Sequence, residues 1–175
     1  MLSAFLFGID VVELARVDAA LSRHDGTLAG RLATRDELGR RGATPLPVHC
    51  AALLALKEAT VKAIGGRPPG FGWHRVEALP GRESPPERIA ELFAEFHRAA
   101  GVTAPELVRL QLDPSVIDGA ATALGLPQRT GRSGTAIGHG CWGVRSGQVF
   151  AVTALWASIP DPEREVGLQQ GETDR

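Results

Sequence analysis

The chain has 175 residues, 43% hydrophobic and 22% charged, with a formal net charge of −1. That length suits a single domain with a real core, and the near-neutral balance excludes a general nucleic-acid binder, which needs a basic excess to meet phosphates. Cys50 and Cys141 stand far apart and outside any C-x-x-C spacing, which excludes a disulfide framework or a cysteine zinc site.

Residues 5–12 read as an apolar strand interrupted by Asp10, with no basic segment ahead of it, and so as a first strand and neither a signal peptide nor a membrane span. A cytoplasmic location is expected. Residues 13–22 continue as a helix, with Leu14, Val17 and Leu21 at helical spacing. Thr34 followed by Glu37 is a capping-box pattern that opens a short helix. The strongest helix spans 48–64 and is closed by Gly65-Gly66 and the Pro68-Pro69 breaker. Phe71–Leu79 reads as a strand and 85–100 as an amphipathic helix with Ile89, Leu92, Phe93 and Phe96 on one face, ending at Gly101. Val108–Leu112 alternates like a strand, Pro114–Leu124 reads as a helix, and Val149–Ser158 is the last strand. A domain is therefore expected over 1–158, followed by a polar tail, 159–175, expected to be disordered.

The Gly-rich segment 130–147 contains Gly138-His139-Gly140-Cys141-Trp142-Gly143, a literal G-x-G-x-x-G. A dinucleotide fingerprint must open a helix, and a strand follows here, so the glycines read as a flexible hairpin or loop.

Two carboxylates sit in apolar elements: Asp10 in the first strand and Glu58 in LLALKEATVKAI, residues 53–64. A carboxylate taken out of water costs several kcal/mol unless paired, hydrogen-bonded or metal-bound. An all-oxygen donor pair suits a hard cation such as Mg²⁺, which keeps waters and often binds substrate phosphates. The alternative has Asp10 bonded to backbone and Glu58 paired with Lys62 at i,i+4. Spacing leaves both open.

GIDVVELARV (8–17), RLATRDEL (31–38), ALKEATVKAIG (55–65) and WHRVEAL (73–79) follow one another in an order that resembles the holo-acyl-carrier-protein synthases, the small class of 4′-phosphopantetheinyl transferases. The most specific element, K-E-A-x-x-K-A, is intact as Lys57-Glu58-Ala59-Thr60-Val61-Lys62-Ala63. The likeness covers about the first 80 residues well and the rest loosely. It implies an α+β fold with an antiparallel sheet packed against helices, and a homotrimer with active sites between subunits. The implied reaction moves 4′-phosphopantetheine from coenzyme A to a serine of an acyl carrier protein. Asp10 and Glu58 would then hold Mg²⁺, and Lys62 would reach phosphate from the same helix face. Glu58 or a metal-bound water would take the serine proton. Lys57, about 100° around the helix, would make a supporting contact to coenzyme phosphate or to backbone. His139 matches the family histidine near bound coenzyme.

Arg16, Arg31 and Arg35, with Arg23, Arg40 and Arg41 around them, resemble the family's carrier-docking region and suit an acidic partner; the alternative is a solvated mixed-charge face. His24, His49, His74 and His97 have no convergent spacing and read as surface or packing residues. The chain departs from the family pattern in three places. Leu53 stands where many members have Arg, Arg75 replaces an acid, and the hydroxyls before His139 are missing. Residues 80–105 form an inserted or extended segment. These departures and the extra length lead to the expectation of a specialised carrier, such as one of polyketide synthesis. The competing class is a non-catalytic or repurposed member that binds a carrier protein or coenzyme A without transfer.

Overall fold

The computed structural model describes residues 5–23, 27–81, 83–125 and 135–158. The expected tail at 159–175, His24, and part of the Gly-rich segment lie outside the described residues. Strands β1 (Phe5–Glu13), β2 (Val76–Pro80), β3 (Glu106–Leu112), β4 (Thr135–Arg145) and β5 (Gln148–Ser158) form one antiparallel sheet in the order β1-β5-β4-β3-β2. The helices are α1 (Leu14–Arg23), α2 (Thr27–Leu32), α3 (Arg35–Gly39), α4 (Leu46–Ala63), α5 (Glu87–Ala100) and α6 (Pro114–Ala123).

Strand alternation divides the sheet into two faces. On one face Leu6 and Val12 of β1, Val149, Ala151 and Leu155 of β5, and Trp142 of β4 pack into a core built around α4. On the other, Cys141, Val152, Ala154 and Trp156 meet Ile89 and Phe93 of α5. The segment read as inserted thus supplies a helix that covers the sheet's second face.

Helix α4 is apolar nearly all round because it is buried nearly all round, with Cys50, Ala51, Ala55, Leu56 and Ala59 among its inaccessible residues. Ala51, Ala55, Ala59 and Ala63 recur every fourth residue and make a thin stripe that lets the helix lie close to the sheet. Gly8 of β1 meets that stripe; a Cβ there would collide with the Ala59 carbonyl and the Ala63 amide. The helix ends in a Schellman motif. Gly66 N–H donates to Val61 O at 3.0 Å and Gly65 N–H to Lys62 O at 3.1 Å, with Gly65 at φ 81°, a conformation glycine adopts without penalty.

The structure corrects the sequence reading in two places. The expected hairpin is present as β4–β5, but the glycines of 138–143 lie inside β4, an 11-residue strand, and not in a flexible segment. A Cβ on Gly140 would stand 2.6 Å from Leu56 Cδ2, and one on Gly138 2.8 Å from Leu155 Cδ2, so these glycines mark close approach. The hairpin turn proper is confined to Ser146 and Gly147, both at positive φ, between β4 and β5. Residues Trp73–Arg75 form a 3₁₀ turn ahead of β2, where a longer strand was expected. Helix α2 was not foreseen.

Candidate active site

Alternation along β1 points Asp10 to the α4 side, two residues beyond the glycine that lets α4 approach. Lys62 Nζ donates to Asp10 Oδ1 at 2.7 Å. Glu58 lies one turn earlier on the same side of α4, and its Oε1 accepts from Arg67 Nη2 at 2.9 Å. The fold therefore gathers Asp10, Glu58 and Lys62, separated by up to 52 residues in sequence, at one edge of the α4–β1 contact. The side chains of Asp10 and Glu58 are 14% and 28% exposed, buried enough to be fixed and open enough to take a ligand. The alternative pairing of Glu58 with Lys62 is not the one formed; each carboxylate has a different cation. Arg67 was not singled out from the sequence, although its place directly after the Gly65-Gly66 turn returns it toward α4.

Lys57 takes the opposite direction. It is 0% exposed, and its ammonium donates to Leu32 O at 2.8 Å and Glu37 Oε2 at 2.9 Å. Burial draws the ammonium below its ordinary pKa and the Glu37 carboxylate opposes that pull. Of the two contacts expected for Lys57, the backbone one is present, and burial keeps the ammonium from a coenzyme phosphate. Glu37 is more than the capping partner foreseen for it. Besides accepting the Thr34 amide at 2.8 Å with Oε2, it accepts the Ala78 amide at 2.8 Å with Oε1 and so joins α3, α4 and β2.

His139 is not brought to these residues. It pairs across the ladder with Ala154 and Arg109 on the face opposite Asp10, 2% exposed and with Nδ1 unpartnered among the described residues, its ring 5.4 Å from that of Trp156. Burial lowers its pKa. Leu53 is buried in the core, and Arg75 binds Asp113 at 2.9 Å and Ser115 at 2.8 Å, tying the start of β2 to the N-cap of α6. The Ser115 hydroxyl and amide donate to Asp113 Oδ1 at 2.8 and 3.0 Å, and these bonds, and then the Arg75 charge, hold the Asp113 carboxyl below its usual pKa.

The arginines divide by partner. Arg16, Arg31 and Arg35 are exposed and form no ion pair among the described residues, whereas Arg40 is tied to Asp36 and Glu77 and Arg41 donates to Thr44 O. His49 Nε2 donates to Glu37 O and His74 Nε2 to Gly30 O, both at 3.0 Å, as packing residues do.

Among the described residues no group of three or more His, Cys, Asp or Glu could hold a metal ion. The donor set at Asp10 and Glu58 is a pair of oxygens, which fits a hard cation that completes its shell with water and phosphate and does not fit a structural zinc. Among the same residues no helix is long and apolar enough to cross a membrane.

The profile of the 4′-phosphopantetheinyl transferase superfamily matches residues 6–111. The chain is 34% identical over 118 residues to a holo-[acyl-carrier-protein] synthase of Clavibacter michiganensis, covering 66% of this chain and 88% of that protein. With a holo-[acyl-carrier-protein] synthase of Leifsonia xyli it is 44% identical over 80 residues, but it spans only 61% of that relative's length. The crystal structure of Helicobacter pylori holo-[acyl-carrier-protein] synthase in complex with coenzyme A superposes with a TM-score of 0.53 over 87% of this chain and all of the other, at 16% identity, a likeness of fold.

Proposed function

Because the chain belongs to the 4′-phosphopantetheinyl transferase superfamily, we propose that it transfers the 4′-phosphopantetheine group of coenzyme A to a serine hydroxyl of an acyl carrier protein. The observation that carries this reading is the convergence of Asp10, Glu58 and Lys62 at the α4–β1 edge, with Lys62 held 2.7 Å from Asp10. When bound there, Mg²⁺ would offset the charge that develops on the leaving phosphate. Asp10 and Glu58 would supply its protein ligands. Lys62, 55% exposed, presents its ammonium to the coenzyme's diphosphate. In the transfer, the serine oxygen forms a bond to the β-phosphorus of coenzyme A, the bond to the bridging oxygen breaks, and adenosine 3′,5′-bisphosphate departs. The serine proton passes to a base at the site, Glu58 or a water held beside it.

The carrier docks on Arg16, Arg31 and Arg35 in this reading, supported by their exposure and lack of internal partners among the described residues. A homotrimer is also part of the proposal. Phe7, Ile9 and Val11 form an exposed apolar row on the edge strand β1, which favours burial against further copies of the chain. A cytoplasmic location is supported by two thiols that are both free and buried.

The test is to incubate the protein with coenzyme A, Mg²⁺ and apo carrier proteins of fatty-acid and polyketide type, then weigh the carriers. A carrier gaining the phosphopantetheine mass supports the reading and identifies the partner class. That gain should vanish in Asp10→Ala, in Glu58→Ala and in excess chelator. Full transfer by either variant would remove these carboxylates from the mechanism. Coenzyme A binding with no carrier modified would favour the repurposed carrier-binding member, whose motivation is the apolar Leu53 buried where the family often has Arg.

A further inference from the structure

The charges at the site already cancel. Asp10 is matched by Lys62 at 2.7 Å and Glu58 by Arg67 at 2.9 Å, so two carboxylates face two cations. A divalent cation arriving alone would leave the cluster with two uncompensated positive charges and would compete with the guanidinium for Glu58. A diphosphate arriving alone would meet two carboxylates as well as two cations. Only the two together restore neutrality.

Arg67 is built to serve both states. It is 56% exposed, and its guanidinium carbon lies 4.7 Å from the centroid of the Trp73 ring, a cation–π contact that can hold the group near the site when it leaves Glu58. It follows the Schellman turn that closes α4, within one loop of Lys62, and also borders an open cleft of about 570 Å³ that runs toward Ser115 and Asp118 of α6 and is lined by none of Asp10, Glu58 and Lys62. A planar guanidinium matches phosphate oxygens bidentately, which the Lys62 ammonium cannot do. Arg67 lies outside the K-E-A-x-x-K-A motif, so the resemblance assigns it no role.

Resting on the transferase reading, we propose that Arg67 is a diphosphate-binding residue of this chain. It holds Glu58 in the free protein and turns to the coenzyme's diphosphate as it yields that carboxylate to the divalent cation. Cation and coenzyme therefore bind cooperatively. Each raises the other's affinity by the same factor, as linkage requires.

Calorimetry on the full chain tests this by titrating Mn²⁺ alone, coenzyme A with chelator, and coenzyme A with Mn²⁺ into the wild type, Arg67→Gln and Arg67→Lys. Arg67→Gln should bind Mn²⁺ alone more tightly than the wild type does, because a competitor for Glu58 is gone. It should bind coenzyme A in Mn²⁺ about tenfold more weakly, the scale of one lost charge-assisted contact, with Arg67→Lys in between. The loss should persist with dephospho-coenzyme A, which keeps the diphosphate and lacks the 3′-phosphate. If Arg67→Gln matches the wild type in both titrations, the proposal is overturned while the transferase reading stands. A loss that disappears with dephospho-coenzyme A would also overturn it, by assigning Arg67 to the 3′-phosphate. If the wild type binds no coenzyme A, the transferase reading fails and takes this inference with it.

Discussion

Lys57 and Glu58 are adjacent in sequence and end in opposite environments, one sealed in the interior and the other at the rim of the site. Their roles follow from that difference. Replacing Lys57 with Met keeps the volume and leaves the Glu37 carboxylate buried without a cation, which should cost about 3–5 kcal/mol of stability in urea unfolding. The double variant Glu37→Gln/Lys57→Met should recover part of that loss, since no bare charge remains. A Lys57→Met protein as stable as the wild type would mean the pair contributes nothing net.

Two buried histidines and one half-buried one add a pH dependence to the fold. Burial lowers the pKa of His49, His97 and His139 from 6.5, so the unfolded chain takes up protons first as pH falls. Unfolded protein then binds more protons than folded, and stability declines with falling pH. The contribution is complete above 6.5 and is lost as pH falls through the folded-state values. Thermal unfolding followed by circular dichroism should show a Tm that is level near neutrality and declines below about pH 6.5. A Tm level down to about pH 5 would show that these rings protonate equally in both states.

At the scale of elements, the contact between α4 and β1 decides whether a site exists. Gly8 is the thinnest point of that contact, and its missing Cβ lets the Ala59–Ala63 turn sit against the strand. Gly8→Ala should destabilise the protein by more than about 2 kcal/mol, because the colliding atoms are backbone and cannot swing aside. It should also weaken coenzyme A binding at temperatures where the fold persists, by moving Lys62 away from Asp10. Wild-type coenzyme affinity in this variant would show that the site tolerates the shift. The glycines of β4 obey the same logic, making room for Leu56 and Leu155. The hairpin expected there forms, but its flexibility does not, because glycine frequency is the same signal whether the chain needs freedom or close approach.

For the molecule as a whole, exposed arginines and an exposed apolar row stand on different elements, which allows docking and self-association to be tested separately. Arg16→Glu or Arg31→Glu should weaken carrier binding more than coenzyme binding. The difference should shrink with salt, as the Debye length falls from about 8 Å under physiological conditions to about 3 Å at 1 M. Equal loss of both affinities would assign these arginines to the fold or the coenzyme. Sedimentation equilibrium should give three chain masses for the wild type, and charged substitutions at Phe7 and Ile9 should lower that mass. A wild-type monomer at assay concentrations would end the trimer proposal.

Most elements could be read from the sequence because their signals are local: helical spacing in 13–22 and 85–100, the Thr34–Glu37 capping box, the Gly65-Gly66 stop. Asp10, Glu58 and Lys62 could be singled out because a charge in an apolar element is costly wherever the chain folds. Which cation each carboxylate meets depends on contacts spanning nine and 52 residues, and no local pattern encodes those. Tertiary packing alone turned Lys57 inward to Glu37, set His139 on the far face beneath α5's side of the sheet, and brought Arg67 back onto Glu58. The physical reason is that burial and ion pairing are properties of surfaces that meet, and which surfaces meet is fixed by how α4 crosses the sheet.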